Sequence, residues 1–421
     1  MLRHSRYSYL FIWAGILVVA ILVIVFGKSL NKDVEKADTK VVSYSDSEDE
    51  VSYLGDTILV QGEQGAEMVG LWVPYMSLAT ETKNEEEFKK GFAGIVEDAK
   101  RLNVNALFVH VRPFSDALYP SEHFTWSHVI TGEQGKDPGY DPLKYMIEYT
   151  HENNMQFHAW INPLRVKSNA DKPVLSQDNI YEELKGDYPF YFMNYDGGIY
   201  LNPSYPYIRQ VISSGAVEIV KNYDVDGIHF DDYFYPSQDE SLDSEAYASY
   251  KQTVENPLSL AQWRTANINA MIAKVYEDIK KEKSNVVFGI SPAGNINNLE
   301  KINADVKTWC AVTGYIDYIC PQLYYSYEND ELTFGKALEE WVEVDRHENL
   351  KMYIGLALYK AGSDDDNGTW KTREDIIKNQ ILDSRKKDCD GVILYSSDYI
   401  NKEETKAEVT NAAAVLKEEK E

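Results

Sequence analysis

Two adjacent carboxylates, Asp231 and Asp232, follow an apolar, β-rich run in the segment GIHFDDYF (227–234). Cleavage of a glycosidic bond needs one acid to protonate the leaving oxygen and a second group to stabilise or attack the oxocarbenium-like centre. Two carboxylates in one mouth of low dielectric constant should differ in pKa, so that one of them stays protonated. We therefore predict that this pair is catalytic. The alternative is a structural pair that caps a helix or binds an arginine.

Polar and aromatic side chains also recur at the ends of neighbouring β-rich runs. Arg112 could hold a carboxylate in place, Trp160 could stack on a sugar ring, and Asn162 could bind a hydroxyl group. The later runs offer amide and phenol groups to a sugar. The predicted substrate-binding residues are His110, Arg112, His158, Trp160, Asn162, His229, Tyr233, Gln322, Tyr324 and Tyr325.

Three of these residues, His110, His158 and His229, also suggest a metal site, and hence a metal-dependent hydrolase or deacetylase. The chain lacks the H-x-H or H-E-x-x-H spacing that would put two metal ligands on one element. We therefore expect no metal and no cofactor. A histidine in such a position is commonly a hydrogen-bonded interior residue, which is the structural alternative.

Eight apolar runs separated by amphipathic helical patterns must position these groups. Near-continuous apolar strands that alternate with helices indicate a parallel sheet covered by helices, and eight repeats favour closure. We predict an α/β fold, a (β/α)8 TIM barrel over residues 67–400, with its catalytic groups at the C-terminal ends of the strands. An open, doubly wound sheet is the alternative, although no glycine-rich phosphate loop follows any strand. The runs cover residues 70–75, 105–112, 156–163, 227–234, 286–292, 317–325, 351–358 and 391–397.

The seventh run lacks an acid at its end. It finishes with Ala357, Leu358 and Tyr359, and the nearest carboxylates lie in the loop at 362–366. Many barrel glycosidases that retain configuration pair an acid on the fourth strand with a carboxylate nucleophile on the seventh. This chain does not show that arrangement.

The composition of the chain limits the kinds of molecule that the protein could bind. The formal net charge of −26 argues against nucleic acids and against anionic membrane surfaces, because both would repel the protein. Aromatic residues make up 13% of the chain, and its 31 tyrosines suit a polysaccharide partner. The three cysteines have no metal-ligand spacing, so we expect buried, free thiols. The oligomeric state stays open.

The ends of the chain have a different character from the barrel. Residues 9–26 are uncharged and apolar and follow Arg3 and Arg6, which predicts an uncleaved signal anchor over 1–27 with the N-terminus inside. Residues 28–66 are polar and acidic, as in a disordered linker. Residues 401–421 predict a charged, frayed helix. The barrel would thus be a single-pass cell-membrane protein on the extracytoplasmic side.

Six ordered motifs carry a family resemblance. They are VRPFSDALYPSEHFTWS (111–127), TGEQGKDPGYDPL (131–143), HAWINPLRV (158–166), LNPSYPYIR (201–209), GIHFDDYFYP (227–236) and YICPQLYYS (318–326). Together they resemble glycosyl-hydrolase-like family 10, whose members are bacterial envelope barrels, some of them associated with peptidoglycan strands. The resemblance implies a hydrolase of a cell-envelope polysaccharide. His110 and Ser115 stand where we expect glutamine and glycine in that family.

The carboxylate pair alone resembles a second group of enzymes, which remove N-acetylglucosamine by substrate assistance. These enzymes also end a barrel strand with Phe-Asp-Asp. The resemblance implies that Asp231 orients the acetamido group of the substrate, which acts as nucleophile, and that Asp232 is the general acid. The expected function is therefore hydrolysis of an N-acetylated glycan such as peptidoglycan. A non-catalytic glycan-binding barrel is the alternative from another class.

Overall fold

A computed structural model of the protein describes residues 67–168, 173–232 and 234–418. The predicted signal anchor and acidic linker lie outside the described residues. Within those residues, no helix is long and apolar enough to cross a membrane.

Eight parallel strands form a closed barrel in which each strand pairs with its neighbour in sequence and the last pairs with the first. Each strand lies within or overlaps one of the eight apolar runs, so the predicted barrel is confirmed and the open sheet is wrong. The strands are β1 (Met68–Val73), β2 (Ala106–Arg112), β3 (Gln156–Ile161), β4 (Gly227–Phe230), β5 (Val287–Ile290), β6 (Tyr318–Ile319), β7 (Lys351–Ala357) and β8 (Gly391–Tyr395).

One principal helix follows each strand. They are α1 (Glu85–Arg101), α2 (Pro142–Glu152), α3 (Pro206–Asn222), α4 (Leu260–Glu282), α5 (Val306–Ala311), α6 (Phe334–Val342), α7 (Ile376–Lys386) and α8 (Lys406–Leu416). The loop after β3 carries a three-stranded antiparallel sheet of Arg165–Lys167, Gly198–Leu201 and Phe192–Tyr195, which we call the loop sheet. Shorter loop elements are the strands Asp116–Ala117 and Thr125–Trp126 and the helices His128–Thr131, Ile180–Leu184, Ser244–Thr253 and Asp365–Thr372.

Strand alternation divides the apolar side chains into two cores. One lies between the strands and the helices, and the other fills the barrel with Trp72, Phe108, Trp160 and Tyr318 among its members. Gly289 makes room for the ring of Tyr318, because a Cβ there would lie 2.2 Å from that ring. The barrel interior is therefore packed, and chemistry is confined to its mouth.

The C-terminal segment differs from its prediction as a frayed tail. Helix α8 packs against α7 through buried residues that include Val409 and Ala412, so the barrel extends beyond residue 400. The buried carboxylate of Glu408 accepts the backbone N–H groups of Ile376 (2.8 Å) and Ile377 (3.0 Å) at the start of α7. The many charged residues of this segment made its apolar face difficult to recognise in the sequence. All three cysteines are buried and free, as predicted.

Candidate active site

The carboxylate pair lies directly after β4, at the C-terminal mouth of the barrel. The strand ends at Phe230, and its four residues are all buried. Because regular alternation stops there, Asp231 and Asp232 need not point to opposite faces of the sheet. Asp231 is 3% exposed, whereas Asp232 is half-buried. The structure thus places one carboxylate within the mouth and the other near its surface.

Two side chains of the preceding strand segment hold Asp231. The indole Nε1 of Trp160 donates to its Oδ2 at 3.0 Å, and the amide Nδ2 of Asn162 approaches the same oxygen at 3.2 Å. The amide oxygen of Asn162 in turn accepts the backbone N–H of Arg165 at 2.9 Å. Asn162 therefore orients a carboxylate, rather than presenting a free amide for a sugar hydroxyl. These bonds fix the direction of Asp231.

The surroundings of Asp232 shift its pKa in the direction that a general acid needs. Burial raises the pKa of its carboxyl group, while a hydrogen bond from Gln322 and the positive charge of Arg165 act in the opposite direction. Gln322 also donates from Nε2 to the carbonyl of Ser291 at 2.9 Å, which anchors it between β5 and β6. Desolvation, and not the neighbouring carboxylate that the sequence predicts, is the largest cause of this rise. A raised pKa favours the protonated carboxyl group, which is the form that can donate a proton to a leaving oxygen.

Arg165 is the cation of the mouth, and sequence reasoning missed its role. Its Nε donates to the carbonyl of Pro113 at 3.0 Å, and its guanidinium lies 4.6 Å from the ring centroid of Phe114. Its charge opposes the rise that burial causes in the pKa of Asp232, and it adds to the lowering that burial causes in the pKa of His110. The motif HAWINPLRV contains Arg165, but this residue lies in the loop beyond the periodic strand, where alternation gives no direction.

The predicted role of Arg112 beside the carboxylate pair is wrong. A β-bulge after His110 places Arg112 opposite Ile161, whose side chain belongs to the outer core. The guanidinium consequently lies 4.3 Å from the ring centroid of Phe124. A Cβ on Gly215 of α3 would approach its Nη1 to 2.0 Å. Arg112 is therefore buried under the helix layer, because a bulge reverses the side to which a strand residue points.

Two of the predicted binding histidines belong to a hydrogen-bonded chain inside the barrel. The indole N–H of Trp72 can only donate, so His229 accepts with Nε2 at 3.1 Å and carries its proton on Nδ1. That Nδ1 lies 2.9 Å from the hydroxyl of Tyr318, which lies 3.4 Å from Nδ1 of His158. Nε2 of His158 then donates to Oε1 of Gln156 at 3.2 Å. These hydrogen bonds hold the side chains inside the barrel in place, and both histidine rings lie below the mouth.

The three histidines are held neutral. Burial lowers the pKa of His158 to about 4 and that of His229 well below its usual value. Burial and the charge of Arg165 do the same for His110, whose ring stacks on Trp160 with 3.9 Å between centroids. In the part of the chain that the structure describes, no three His, Cys, Asp or Glu side chains form a group that could hold a metal ion. The geometry gives the metal-hydrolase alternative no support.

The stacking of Trp160 on His110 argues against the predicted stacking of Trp160 on a sugar ring. One face of the indole is covered, and the side chain is 7% exposed. Little ring surface is left for a sugar. The contribution of Trp160 to the site that the structure shows is its indole N–H, which donates to Asp231.

The tyrosines after the sixth strand separate into different environments. Tyr324 is half-buried, and its ring centroid lies 5.7 Å from that of Tyr359 and 5.9 Å from that of Tyr395. Burial raises its pKa well above the usual value, and Asp232 contributes in the same direction. Tyr325 instead lies beside Gly294, where a Cβ would come within 3.1 Å of its ring. Tyr233 lies outside the described residues.

Tyr359 and Tyr395 are site residues that we did not predict. They stand at the ends of β7 and β8, and with Tyr324 they form an aromatic wall on one side of the mouth. Their positions at the ends of predicted strands could have identified them as site residues from the sequence. In the loop at 362–366, Asp366 has a structural role, because it accepts the backbone N–H of Ser326 at 2.7 Å and the indole N–H of Trp370 at 3.0 Å.

Two solved structures with similar folds are a glycoside hydrolase domain and the catalytic domain of an amylase. The glycoside hydrolase domain of PgaB (BpsB) from Bordetella bronchiseptica superposes with a TM-score of 0.53 at 13% identity, covering 83% of this chain and 99% of that domain. The catalytic domain of β-amylase from Paenibacillus polymyxa gives a TM-score of 0.57 at 9% identity, covering 84% of this chain and 100% of that domain. At these identities the likeness establishes the fold alone.

Curated relatives are similar at the level of sequence. Glycosyl hydrolase YngK of Bacillus subtilis (strain 168) is 33% identical over 335 residues, covering 75% of this chain and 64% of the relative, so the chain spans less than two thirds of that protein. Glycosyl hydrolase DigH of Escherichia coli (strain K12) is 31% identical over 372 residues, covering 80% of this chain and 83% of the relative. The sequence profile of the glycosyl hydrolase-like 10 family matches residues 67–371, and the chain therefore belongs to that family.

Proposed function

We propose that this protein is a glycoside hydrolase whose general acid is Asp232. The proposal rests on a carboxyl group at the barrel mouth, the pKa of which is raised by burial. A second carboxylate, held by Trp160 and Asn162, lies next to it. One group can then give a proton to the leaving oxygen, while the other acts on the reacting centre. Family membership and the two glycosyl hydrolase relatives agree with this chemistry.

We further propose that the substrate supplies the nucleophile. Strand β7 ends at Ala357 and leads into Leu358 and Tyr359, so the described mouth shows no carboxylate at the place where a retaining barrel glycosidase has one. An acetamido oxygen of the substrate, oriented by Asp231, would attack the anomeric carbon as the glycosidic C–O bond breaks and Asp232 protonates the departing oxygen. Water then opens the cyclic intermediate and returns a proton to Asp232.

The substrate proposed is an N-acetylated glycan of the cell envelope, such as peptidoglycan strands. Its acetamido groups would supply the nucleophile in the mechanism that we propose for Asp231 and Asp232. The net charge of −26 and the aromatic wall of the mouth favour a sugar polymer without a dense negative charge.

Purified glycan strands test this proposal. The protein is incubated with strands that carry peptide stems, with peptide-free strands, and with strands from which the acetyl groups have been removed, and released fragments are read by mass spectrometry. We expect fragments from acetylated strands only, and inhibition by a thiazoline that mimics the cyclic intermediate. Equal cleavage of deacetylated strands would contradict substrate assistance. Binding without any fragments would identify a non-catalytic glycan-binding barrel.

We also propose that residues 9–26 anchor the protein in the cell membrane, with the barrel on the extracytoplasmic side. The support is the uncharged apolar run behind Arg3 and Arg6. Protease added to intact protoplasts should release the barrel as a soluble fragment. Protection of the barrel until the cells are lysed would show that the orientation is wrong.

A further inference from the structure

A cluster of exposed aromatic rings lies at the far edge of the loop sheet. Tyr188, Phe190 and Tyr207 are 44%, 38% and 47% exposed, although large rings usually bury most of their surface. Tyr191 and Tyr205 lie half-buried between them. We call these five residues the aromatic platform. They come from the short helix Pro189–Tyr191, the residues before it and the start of α3.

The rings of the platform brace one another. Tyr191 stacks on Tyr188 at 5.4 Å and on Tyr207 at 5.1 Å between ring centroids, with interplanar angles of 15° and 22°. Phe190 packs against Tyr191 at 4.8 Å and against Tyr205 at 5.1 Å. Rings held in this way lose little further conformational entropy when a ligand lies on them. The exposed surface is therefore rigid.

Polar groups line a cavity that adjoins the platform. The cavity has a volume of about 320 Å³ and combines Phe190 and Tyr205 with amides, hydroxyls and carboxylates, including those of Asn194, Ser244 and Glu245. Among the described residues that line it, none is a lysine or an arginine. Aromatic rings beside hydrogen-bonding groups, without positive charge, suit a neutral polyhydroxyl ligand.

The loop sheet connects the platform to the mouth. Arg165, whose charge acts on Asp232, pairs with Tyr200, and Tyr200 pairs with Met193 on the strand that follows the platform helix. Neighbouring strands lie about 4.8 Å apart, so the two outer strands are separated by about 10 Å. The loop sheet therefore extends between the platform and Arg165, whose charge acts on Asp232.

We propose that the aromatic platform and its cavity bind sugar rings of the polymeric substrate, away from the bond that is cleaved. The inference rests on the proposed function, because it assigns the platform to the same glycan. The faces of pyranose rings would lie on Tyr188, Phe190 and Tyr207, and their hydroxyl groups would hydrogen-bond in the cavity. An anionic membrane surface or nucleic acid is disfavoured by the carboxylates and by the net charge of −26.

Binding and turnover of platform variants test the inference separately. Tyr188→Ala, Phe190→Ala and Tyr207→Ala are made singly and together in the full chain, with Val312→Ala as the control, because Val312 is an apolar residue outside the platform that is 49% exposed. The Kd for peptide-free glycan strands is measured by gel retardation in an Asp232→Asn background. Turnover of a single-sugar aryl glycoside is measured in the native background.

We expect each substitution to weaken strand binding by about two- to tenfold, the scale of one aromatic stacking contact. The triple variant should lose at least about tenfold, with unchanged turnover of the aryl glycoside and unchanged binding by Val312→Ala. Strand binding by the triple variant equal to that of its parent would overturn the platform alone. A parent that binds no strands would overturn the proposed function as well. Self-association that the triple variant loses, with strand binding intact, would instead make the platform a subunit interface.

Discussion

Replacing Asp232 with asparagine removes the proposed acid while keeping the size of the side chain. Loss of a general acid typically costs about 10²–10⁴-fold in rate, or about 2.7–5.4 kcal/mol of transition-state stabilisation. The loss should be smallest where the leaving group needs no proton. We therefore expect Asp232→Asn to lose kcat/KM on glycan strands within that range, and to lose less than about tenfold on an activated aryl glycoside.

The raised pKa of Asp232 makes the same variant informative about pH. In the parent, kcat/KM on glycan strands should fall as the pH rises through this pKa, because the acid loses its proton. This fall is the alkaline limb of the pH profile, and the variant should lack it. Since burial favours the protonated form, ionisation of Asp232 also lowers the free energy of unfolding as the pH rises through the same pKa. Asparagine cannot ionise, so the melting temperature at pH 8 should be equal to or higher than that of the parent.

The assay combines initial rates on both substrates over pH 5 to 9 with thermal melts of both proteins. Lost glycan cleavage in a protein that melts no lower than the parent separates a catalytic role from misfolding. Near-parental cleavage of glycan strands by Asp232→Asn, or an unchanged alkaline limb, would refute the assignment of the acid.

Substitutions at three other positions follow from the same structure. Arg165→Met should move the alkaline limb of kcat/KM to higher pH, because the charge that lowers the pKa of Asp232 is lost; a limb that stays or moves down contradicts this. Ser115 has a φ of 48°, so Ser115→Gly should stay within about 1 kcal/mol of the parent in urea unfolding, whereas β-branched Ser115→Val should lose more than that. Burial raises the pKa of Glu408 to about 7, so the parent should lose up to about 3 kcal/mol of stability between pH 4.5 and 7. Glu408→Gln should lack that loss in melts across this range, and parallel pH profiles would contradict it.

The strands were predictable because burial on both faces gives each of them a short, nearly continuous apolar run. Positions such as Phe108 and Trp160 then follow from alternation, and the mouth follows from strand direction. The left-handed backbone of Ser115 explains why glycine is expected there, but nothing in the structure explains why this chain has serine.

The errors have local causes that periodicity does not contain. A single bulge turned Arg112 towards α3. Arg165 lies in a loop, where no repeat specifies direction. The histidine chain through Tyr318 depends on contacts between residues more than 150 positions apart, such as the bond from Trp72 to His229. The aromatic platform is likewise assembled from separate segments, so its tyrosines could not be distinguished from core residues in the sequence.

Cleavage of acetylated, peptide-free glycan strands in heavy-oxygen water tests the central claim most directly. Hydrolysis places one oxygen from the solvent at each new reducing end, which mass spectrometry of the fragments detects. In the parent protein every fragment that ends in a newly formed reducing end should carry the heavy oxygen, and Asp232→Asn should release almost no such fragments in the same time. New chain ends without the label, or equal release of labelled fragments by the variant, would contradict hydrolysis driven by the carboxylate pair of β4.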